Sequence, residues 1–485
     1  MGIKTEDFVK NLPPKDKITP GVDWLGIDMA LGRKGRDAFG RLGAAVGVSQ
    51  KINKKGLHCR DASAIIRYNR ILDGGALVAY IKRSLEQKIL EISEDYSCLL
   101  LIGPRQVGKT TMLEHLMEGT ERQKVTLDDA ENRRLAKSDP ALFLEMHPAP
   151  VLIDEVQYAP ELFSYIKIRV DNGAAPGSYW LTGSQAFQLM ELAQESLAGR
   201  TAILHMSALS QSELYGDAVT EPLSLNTSAI NKRKDHLSRC STMEMYERIW
   251  RGGMPGHRSG KYRDRDVFYS SYIQTYINRE VTDIIPGVDK LLFADFIRAA
   301  ACRVGQMLNV HDIAMDVGVS DDTGKRWLQV LEKSEVVFYL RPYSNNLLKR
   351  TVKTPKMYFF DTGLVAYLTK YSSPEILMNG AINGAILENY TVAEIRKTWQ
   401  NSAKECMIHY YRDKDTNEID MVVETDGELH PMEIKKFTNP GTELASAFTI
   451  LDKGSVPRGK GAILCLREEL SAIDRTTFIL PIWMI

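Results

Sequence analysis

SCLLLIGPRQVGKTTMLEHL, residues 97–116, combines a short apolar run, a glycine-containing loop and the start of a helical pattern. The run 98–102 has the length and composition of a buried strand, and apolar residues recur at helical spacing after Thr111. Between them, Gly103–Thr110 is a full match to G-x-x-x-x-G-K-[ST]. This order of strand, loop and helix predicts a P-loop at one edge of an α/β sheet.

The residue types of this loop explain how it would hold a nucleotide. Two glycines let the backbone bend so that successive N–H groups point into one concavity, which fits a phosphate chain. Lys109 is expected to bind the β- and γ-phosphates, and the Thr110 hydroxyl to bind the Mg²⁺ that bridges them. The predicted nucleotide-binding set is Gly103, Pro104, Arg105, Gln106, Val107, Gly108, Lys109, Thr110 and Thr111.

Length and composition are those of a multi-domain globular protein. A chain of 485 residues with 44% hydrophobic and 26% charged residues predicts several ordinary cores. Lys+Arg and Asp+Glu balance at 62 each, so any affinity for nucleic acid must come from local patches. Six cysteines without a C-x-x-C pair argue against a zinc knuckle or a disulfide framework. No apolar run approaches the roughly 18 residues of a membrane span, so we expect a cytoplasmic protein without a membrane partner.

Residues 1–77 are the least regular part of the sequence. They are rich in basic residues and contain Pro13-Pro14 and several glycines. Two interpretations stay open: an arm that binds nucleic acid or a protein partner, or a poorly ordered extension.

A second apolar strand, downstream of the P-loop, ends in two carboxylates. Val151–Ile153 is apolar and mostly β-branched, and Asp154 and Glu155 follow it directly. This is the Walker-B arrangement, in which Asp154 would hold Mg²⁺ and Glu155 would orient and deprotonate the attacking water. The sequence therefore predicts hydrolysis of ATP with Mg²⁺ as cofactor.

Polar side chains flank two later strands of the same predicted sheet. The strand Ser178–Gln185 ends in Ser184 and Gln185, which are candidate sensors of the γ-phosphate; a simple turn is the equally open alternative. Arg200 precedes a strand over 201–204 and would act as an arginine finger or sensor, or else form a surface salt bridge.

Several stretches together resemble one group of P-loop proteins. They are TLDDAENRRLAKSDPALFL, VLIDEVQYAPELFSYIK, WLTGSQ, LAGR, GGMP at Gly252–Pro255, YIQTYINREV, FYLRPYSNNLLKRTVKTPKMYFFDTGL and EIDMVVE. They resemble the AAA-type, archaeal-ATPase-like P-loop ATPases of bacteria and archaea, which carry a C-terminal domain of uncharacterised function. The resemblance covers nearly everything after residue 77 and implies an ATPase core, residues 78–205, followed by a helical lid.

Residues 206–300 are predicted to hold an insertion and that lid. The stretch EPLSLNTSAINKRKDHLSRCS within 206–241 is rich in Ser and Asn and predicts a surface loop, whereas 242–300 has a helical pattern. Arg279 in the lid is a candidate for contact with a phosphate held by a neighbouring subunit, so a homo-oligomer is one expected partner. A helix-surface ion pair is the alternative for Arg279.

Residues 301–360 have the pattern of a winged helix, with two helices separated at Gly318 and then a hairpin. In one interpretation this module binds DNA through Lys325, Arg326 and a basic run; in the other it connects proteins. The run consists of Arg341, Lys349, Arg350, Lys353 and Lys356.

Residues 361–485 resemble the PD-(D/E)XK nuclease fold. A helix carrying Glu388 precedes a predicted three-strand meander with Asp420 on its second strand and Glu433 and Lys435 on its third. The resemblance implies carboxylates that bind Mg²⁺ and a lysine that stabilises charge on a phosphate. A buried salt-bridge network in a fold without this chemistry is the alternative.

The sequence as a whole predicts an α/β protein with a P-loop NTPase, AAA-like core and a helical lid. A winged helix and a C-terminal α/β PD-(D/E)XK-like domain complete the prediction. The expected function is an ATP-driven switch, and an ATP-gated DNA nuclease and a non-hydrolysing scaffold stay open. The predicted catalytic residues are Lys109, Glu155, Ser184 and Arg200.

Overall fold

The computed structural model describes residues 80–485 apart from 185, 217–218, 278–280, 283, 345–353 and 414–416. Residues 82–258 and 262–485 form one compact unit, which contains every element described below. The predictions for the N-terminal extension 1–77 and for Gln185, Arg279, Lys349, Arg350 and Lys353 fall outside the described residues and stay predictions.

A five-stranded parallel sheet contains the strands predicted around the P-loop. Its strand order is β2-β3-β4-β1-β5, and every neighbouring pair is parallel. Because the strands are parallel, the loops at their carboxyl ends meet at one edge, where ligands bind in such sheets. The strands are β1 Cys98–Ile102, β2 Gln123–Thr126, β3 Val151–Asp154, β4 Tyr179–Thr182 and β5 Thr201–His205.

Helices cover both faces of this sheet. On β1, Leu99 and Leu101 belong to one apolar cluster, and Cys98, Leu100 and Ile102 belong to another. Burial on both faces explains why β1 is a continuous apolar run instead of an alternating one. The helices are α1 Glu86–Asp95, α2 Lys109–Met117, α3 Ala130–Ser138, α4 Pro140–Met146, α5 Glu161–Asp171 and α6 Ala186–Ser196.

The structure differs in part from the surface loop predicted within 206–241: most residues of 221–241 are exposed, but Thr227–His236 forms a helix. Leu223, Leu225 and Ile230 are buried in the main apolar core. Polar residues separate these positions in the sequence, so no regular apolar pattern indicates that they are buried together. The elements are α7 Gln211–Tyr215, α8 Thr227–His236, α9 Thr242–Arg251, α10 Pro255–Arg258, α11 Arg265–Ser271 and a π-helical stretch Tyr272–Ile277.

A helical group and a hairpin follow in the order that the winged-helix prediction requires, and the assignment to that fold stays a prediction. Trp327 packs edge-on against Phe293 and Phe296 at centroid distances of 5.3 and 5.2 Å. The elements are α12 Lys290–Ala301, α13 Val310–Val317, α14 Asp321–Lys333, β6 Val337–Pro342 and β7 Lys356–Phe359.

One eight-stranded sheet combines this hairpin with the C-terminal strands, in the order β12-β13-β11-β10-β9-β8-β6-β7. β6 pairs in parallel with β8, with Arg341 opposite His409 and Pro342 opposite Tyr410. The modules predicted as separate domains therefore share a sheet. Its other strands are β8 Ile408–Arg412, β9 Glu418–Thr425, β10 Glu428–Lys435, β11 Gly461–Cys465, β12 Ser471–Ala472 and β13 Thr477–Pro481.

The long helix α17, Asn383–Asn401, packs against β7 and β10 of this sheet. Shorter elements complete the fold: α15 Thr362–Leu368, α16 Pro374–Met378 and 3₁₀ helices at Val156–Tyr158, Thr442–Lys453 and Ile482–Met484. Among the helices that the structure describes, none is long and apolar enough to cross a membrane.

Candidate functional site

The P-loop connects β1 to α2 in a conformation that depends on glycine. Gly103 and Gly108 have φ angles of +144° and +91°, which side-chain-bearing residues rarely adopt. A Cβ atom on Gly103 would lie 2.1 Å from the backbone oxygen of Met206, directly after β5. The backbone of the loop can therefore approach its neighbours only because glycine occupies this position.

Lys109 begins α2, and its side chain lies inside the loop. Its Nζ donates hydrogen bonds to the backbone oxygens of Gly103 at 2.7 Å and Pro104 at 2.8 Å. Burial lowers the pKa of Lys109 to about 8, and the carboxylates of Glu155 and Asp154 act in the opposite direction. The amine is thus held among backbone groups of the loop, and among the described residues it forms no direct ion pair.

The two predicted magnesium ligands contact each other. Thr110 Oγ1 donates a 3.0 Å hydrogen bond to Asp154 Oδ1, which joins the first turn of α2 to the end of β3. Burial raises the pKa of Asp154, while the hydrogen bond from Thr110 acts to lower it. A hydroxyl and a carboxylate are oxygen ligands of the kind that Mg²⁺ takes, so this pair fits the ion.

Glu155, the predicted base, has a left-handed backbone conformation with φ 56° and ψ 44°. Such angles are uncommon for residues other than glycine and cluster at functional sites. Its carboxylate Oε2 accepts hydrogen bonds from Gln157 Nε2 and, at 3.2 Å, from Ser184 Oγ. Gln157 is a site residue that the sequence pattern did not single out, although it lies two positions beyond Glu155 in the same turn.

Ser184 connects the P-loop to this base. Arg105 Nε donates to Ser184 Oγ at 3.0 Å, and Gln157 Nε2 approaches the same oxygen at 3.4 Å. A Cβ on Gly183 would lie 2.2 Å from Gln157 Oε1, so glycine leaves room for the amide. Ser184 therefore lies between Arg105 of the loop and Glu155, and its role as a sensor stays a prediction.

Arg200 lies at the opposite edge of the sheet. The next residue, Thr201, pairs with Cys98 at the start of β1, whereas the P-loop leaves the other end of that strand. Arg200 Nε contacts Asp171 Oδ1 at 2.5 Å, and both side chains are largely exposed. A role at the P-loop of its own chain is therefore corrected to a surface salt bridge, because the start of β5 is remote from the loop. A role in a neighbouring subunit stays a prediction.

The GGMP segment lies beside the P-loop. A Cβ on Gly108 would be 3.9 Å from the ring of Pro255. Gly253 N donates to Asp361 Oδ2 at 2.7 Å, and Tyr269 OH donates to Asp361 Oδ1 at the same distance. This buried aspartate, at the start of α15, joins the segment next to the P-loop to the C-terminal half.

The four residues of the predicted nuclease-like site meet between α17 and the strands β9 and β10. Lys435 Nζ donates to Glu433 Oε2 at 2.6 Å and to Asp420 Oδ2 at 3.0 Å. The backbone N–H of Ile434 also donates to Asp420 Oδ2, at 2.9 Å. Glu388 contacts a different set of groups.

Lys356 is the principal partner of Glu388. Its Nζ lies 3.2 Å from Glu388 Oε1 and 2.7 Å from Glu418 Oε1. Tyr358 OH donates to the same oxygen of Glu388 at 2.6 Å. The interpretation in which Lys356 belongs to a DNA-binding run is therefore wrong: its side chain is 6% exposed, and all of β7 is buried.

Burial and like charges perturb the carboxyl groups of this cluster. Burial raises the pKa of Glu433 to about 8, Asp420 adds to this effect, and Lys435 opposes it. Burial also acts to raise the pKa of Asp420, but Lys435 and Lys356 outweigh it and hold this pKa below its ordinary value. Among the described residues, no group of three or more His, Cys, Asp or Glu side chains is arranged to hold a metal ion.

Comparison with known proteins divides the chain into three matched segments. Residues 95–215 match the family model of an AAA domain. This match contains β1 to β5, the P-loop, Asp154 and Glu155, so the first sheet has a P-loop NTPase α/β fold and the segment is similar to AAA domains. Residues 242–375 and 383–485 match two domains of unknown function, DUF8612 and DUF4143.

Full-length relatives and solved structures extend the comparison beyond the AAA domain. Uncharacterised proteins of Mycobacterium bovis and Mycobacterium tuberculosis are each 27% identical over 360 residues, which is 73% of this chain and 74% of theirs. A Walker-type ATPase of Pyrococcus abyssi is 15% identical with a TM-score of 0.38, covering 60% of this chain and 96% of that one. The RuvB Holliday junction branch migration motor of Thermotoga maritima is 18% identical with a TM-score of 0.27, covering 53% and 89%.

Proposed function

We propose that this protein is a Mg²⁺-dependent ATP-hydrolysing switch in which the AAA domain acts on the C-terminal half of its own chain. One observation carries the proposal: the 3.0 Å contact between Thr110 and Asp154, formed beside Lys109 and Glu155. It brings phosphate-binding, metal-binding and proton-accepting groups together at the carboxyl edge of a parallel sheet, where such sheets bind ligands.

Each group at this edge has a separate task. The backbone N–H groups of the P-loop and the amine of Lys109 would bind the phosphates, and Thr110 and Asp154 would hold Mg²⁺. Bound Mg-ATP supplies the phosphoryl group that is transferred to water. Glu155 would orient that water and accept its proton. Ser184 would report the γ-phosphate to Glu155, because its hydroxyl contacts this carboxylate.

The switch part of the proposal is supported by a polar chain that starts at the same edge. His205 ends β5, and its Nε2 contacts Glu335 in the turn before β6. Ser207 Oγ donates to Gln400 Oε1 at 2.6 Å, and Gln400 Nε2 lies 2.9 Å from His205 Nδ1. A change in the P-loop edge would therefore reach the hairpin and α17 through direct contacts.

For the partner, we favour a protein connector over DNA binding by the helices and hairpin of 301–360. Lys325 and Arg326 are exposed on α14, but Asp321 and Asp322 precede them, and Lys325 Nζ lies 3.6 Å from Asp322. Mixed charge on one exposed helix gives little net attraction for phosphates, which dominate affinity for DNA. Retention of labelled DNA that Lys325→Glu removes would reverse this preference.

The experiment that tests the main proposal measures binding and turnover separately. Purified full-length protein is incubated with ATP, with Mg²⁺ or with a chelator, and phosphate release is compared with equilibrium ATP binding. We expect release that requires Mg²⁺ and stops in Glu155→Gln. Binding without release by the wild-type protein would instead identify a scaffold, and no binding would refute the nucleotide site itself.

A further inference from the structure

The C-terminal cluster contains the residue types of a metal-dependent nuclease in a different geometry. Mg²⁺ requires oxygen ligands converging at about 2.0–2.1 Å in a near-octahedral arrangement. In this chain the carboxylates converge on ammonium groups instead. Lys435 Nζ lies 2.6 Å from Glu433 Oε2 and 3.0 Å from Asp420 Oδ2.

The second ammonium group, that of Lys356, contacts the remaining two carboxylates. Its distances are 2.7 Å to Glu418 Oε1 and 3.2 Å to Glu388 Oε1. The two lysines therefore contact all four carboxylates of the cluster. A divalent cation placed among them would lie close to the buried ammonium group of Lys356 and the partly buried one of Lys435, and like charges repel more strongly where less water is present.

The backbone of β7 keeps Lys356 in this position. Lys356 pairs with Leu340 of β6 on one side and forms a bridge with Met307 on the other. At the end of β7, the side-chain amide of Asn389 on α17 forms two hydrogen bonds with the backbone of Phe359. Its Oδ1 accepts from Phe359 N at 2.6 Å, and its Nδ2 donates to Phe359 O at 2.9 Å. With both edges occupied, strand alternation directs the side chain of Lys356 into the cluster.

We propose that Lys356 and Lys435 take the place of metal ions, so that this cluster is an ion-pair joint and not a Mg²⁺-dependent nuclease centre. The joint connects strand β7 of the hairpin to α17, β9 and β10. The hairpin, α17 and strands β9 and β10 would then move together when the AAA domain changes conformation. This inference is independent of ATP hydrolysis.

The direct test removes Lys356 and asks whether a metal site appears. All variants carry Lys109→Ala and are studied as the full chain without nucleotide, so that the P-loop does not bind metal-nucleotide. Binding of Mn²⁺ is measured from the loss of the free-ion signal in electron paramagnetic resonance. We expect no stoichiometric Mn²⁺ site in the protein that retains Lys356 or in the Lys356→Arg variant. The Lys356→Met variant should bind one Mn²⁺ per chain, and adding Asp420→Asn to that variant should remove the site.

Two results would overturn the proposal. The first is Mn²⁺ bound by protein that retains Lys356 and lost on Asp420→Asn, which would show a working metal site. The second is a folded Lys356→Met variant that gains no site, which would show that Lys356 does not exclude the ion. Circular dichroism establishes folding.

A second measurement keeps the test decisive if Lys356→Met fails to fold. The melting temperature of the Lys109→Ala protein is recorded with and without Mg²⁺, alongside the same protein with Asp420→Asn. We expect Mg²⁺ to shift both proteins equally. A stabilisation by Mg²⁺ that Asp420→Asn abolishes would refute the ion-pair joint.

Discussion

The P-loop edge and the C-terminal cluster both combine lysine with aspartate and glutamate, but they pair these groups differently. At the P-loop, Lys109 donates to backbone oxygens and Asp154 accepts from a hydroxyl, so cation and anion are held apart by neutral partners. In the C-terminal cluster, Lys435 bonds directly to Asp420 and Glu433. At the P-loop the charged groups are therefore not paired with each other and can bind a charged ligand. In the C-terminal cluster the lysine and the carboxylates are paired with each other.

Backbone conformation separates the two regions in the same way. Glu155 has a left-handed conformation at φ 56°, which costs energy and is found where geometry serves function. Asp420 and Glu433 lie in strands and neither has a positive φ; Asp420 is at a register shift between β9 and β8, and Glu433 pairs in parallel with Ile463 of β11. The comparison therefore predicts that substitutions at the P-loop edge change activity, while substitutions in the C-terminal cluster change stability.

The largest effect is expected for Lys109→Ala, which should abolish ATP binding because the loop loses its only lysine for the phosphates. Turnover should fall by about 100- to 1,000-fold or more, the usual effect of removing a preorganised charge partner. Equilibrium binding of a fluorescent ATP analogue measures the loss. Lys435→Ala is the matched control and should leave ATP affinity unchanged. Equal losses of ATP affinity in the two variants would contradict the distinction between the P-loop edge and the C-terminal cluster.

Glu155→Gln should retain ATP binding and lose turnover. A glutamine keeps the shape of the side chain but cannot accept the proton of water, and general-base catalysis contributes about 100- to 10,000-fold. Single-turnover phosphate release and ATP affinity are measured on the same preparation. Glu433→Gln should release phosphate at the wild-type rate, and a slow Glu433→Gln would place the C-terminal cluster in the hydrolytic reaction.

Lys356→Met should destabilise the fold by at most about 3–5 kcal/mol, the value for a buried pair, because it leaves the partly buried carboxylates of Glu388 and Glu418 without their counter-ion. Urea unfolding measures this difference, and Lys356→Arg should recover part of it. Lys325→Met, on the exposed surface of α14, should change the free energy of unfolding by no more than about 0.5 kcal/mol. Equal stability of the Lys356 and Lys325 variants would show that the cluster is not a joint.

The smallest effect is expected for Gln157→Ala, which removes one of the two side chains that hold Glu155. A hydrogen bond to a charged group contributes about 1.5–3 kcal/mol, so kcat should fall by about 10- to 150-fold while ATP affinity stays the same. Gln157→Glu, which cannot donate the bond and places a second carboxylate beside Glu155, should lose at least as much as the alanine variant. A change confined to KM would assign Gln157 to substrate binding and not to positioning of the base.

The elements nearest to the P-loop could be predicted because their signals are local. The apolar run of β1, the loop glycines and the carboxylates after β3 lie in short contiguous stretches, and parallel pairing brings their ends to one edge. The same reasoning named Ser184 as a candidate but not Gln157. The contact of Gln157 with Glu155 depends on the turn Val156–Tyr158, which the sequence pattern did not predict. The same reasoning also offered Arg200, because the sequence does not state that β5 runs parallel to β1, which places a residue that precedes β5 away from the P-loop.

The sequence by itself determined the P-loop, the Walker-B strand and the order of helices and strands, since each depends on neighbouring residues. Only the tertiary structure decided what the charged residues of the C-terminal half do. Lys356 meets Glu388 because β6 pairs with β8 and α17 packs over β7, and such long-range pairing leaves no local periodicity to read.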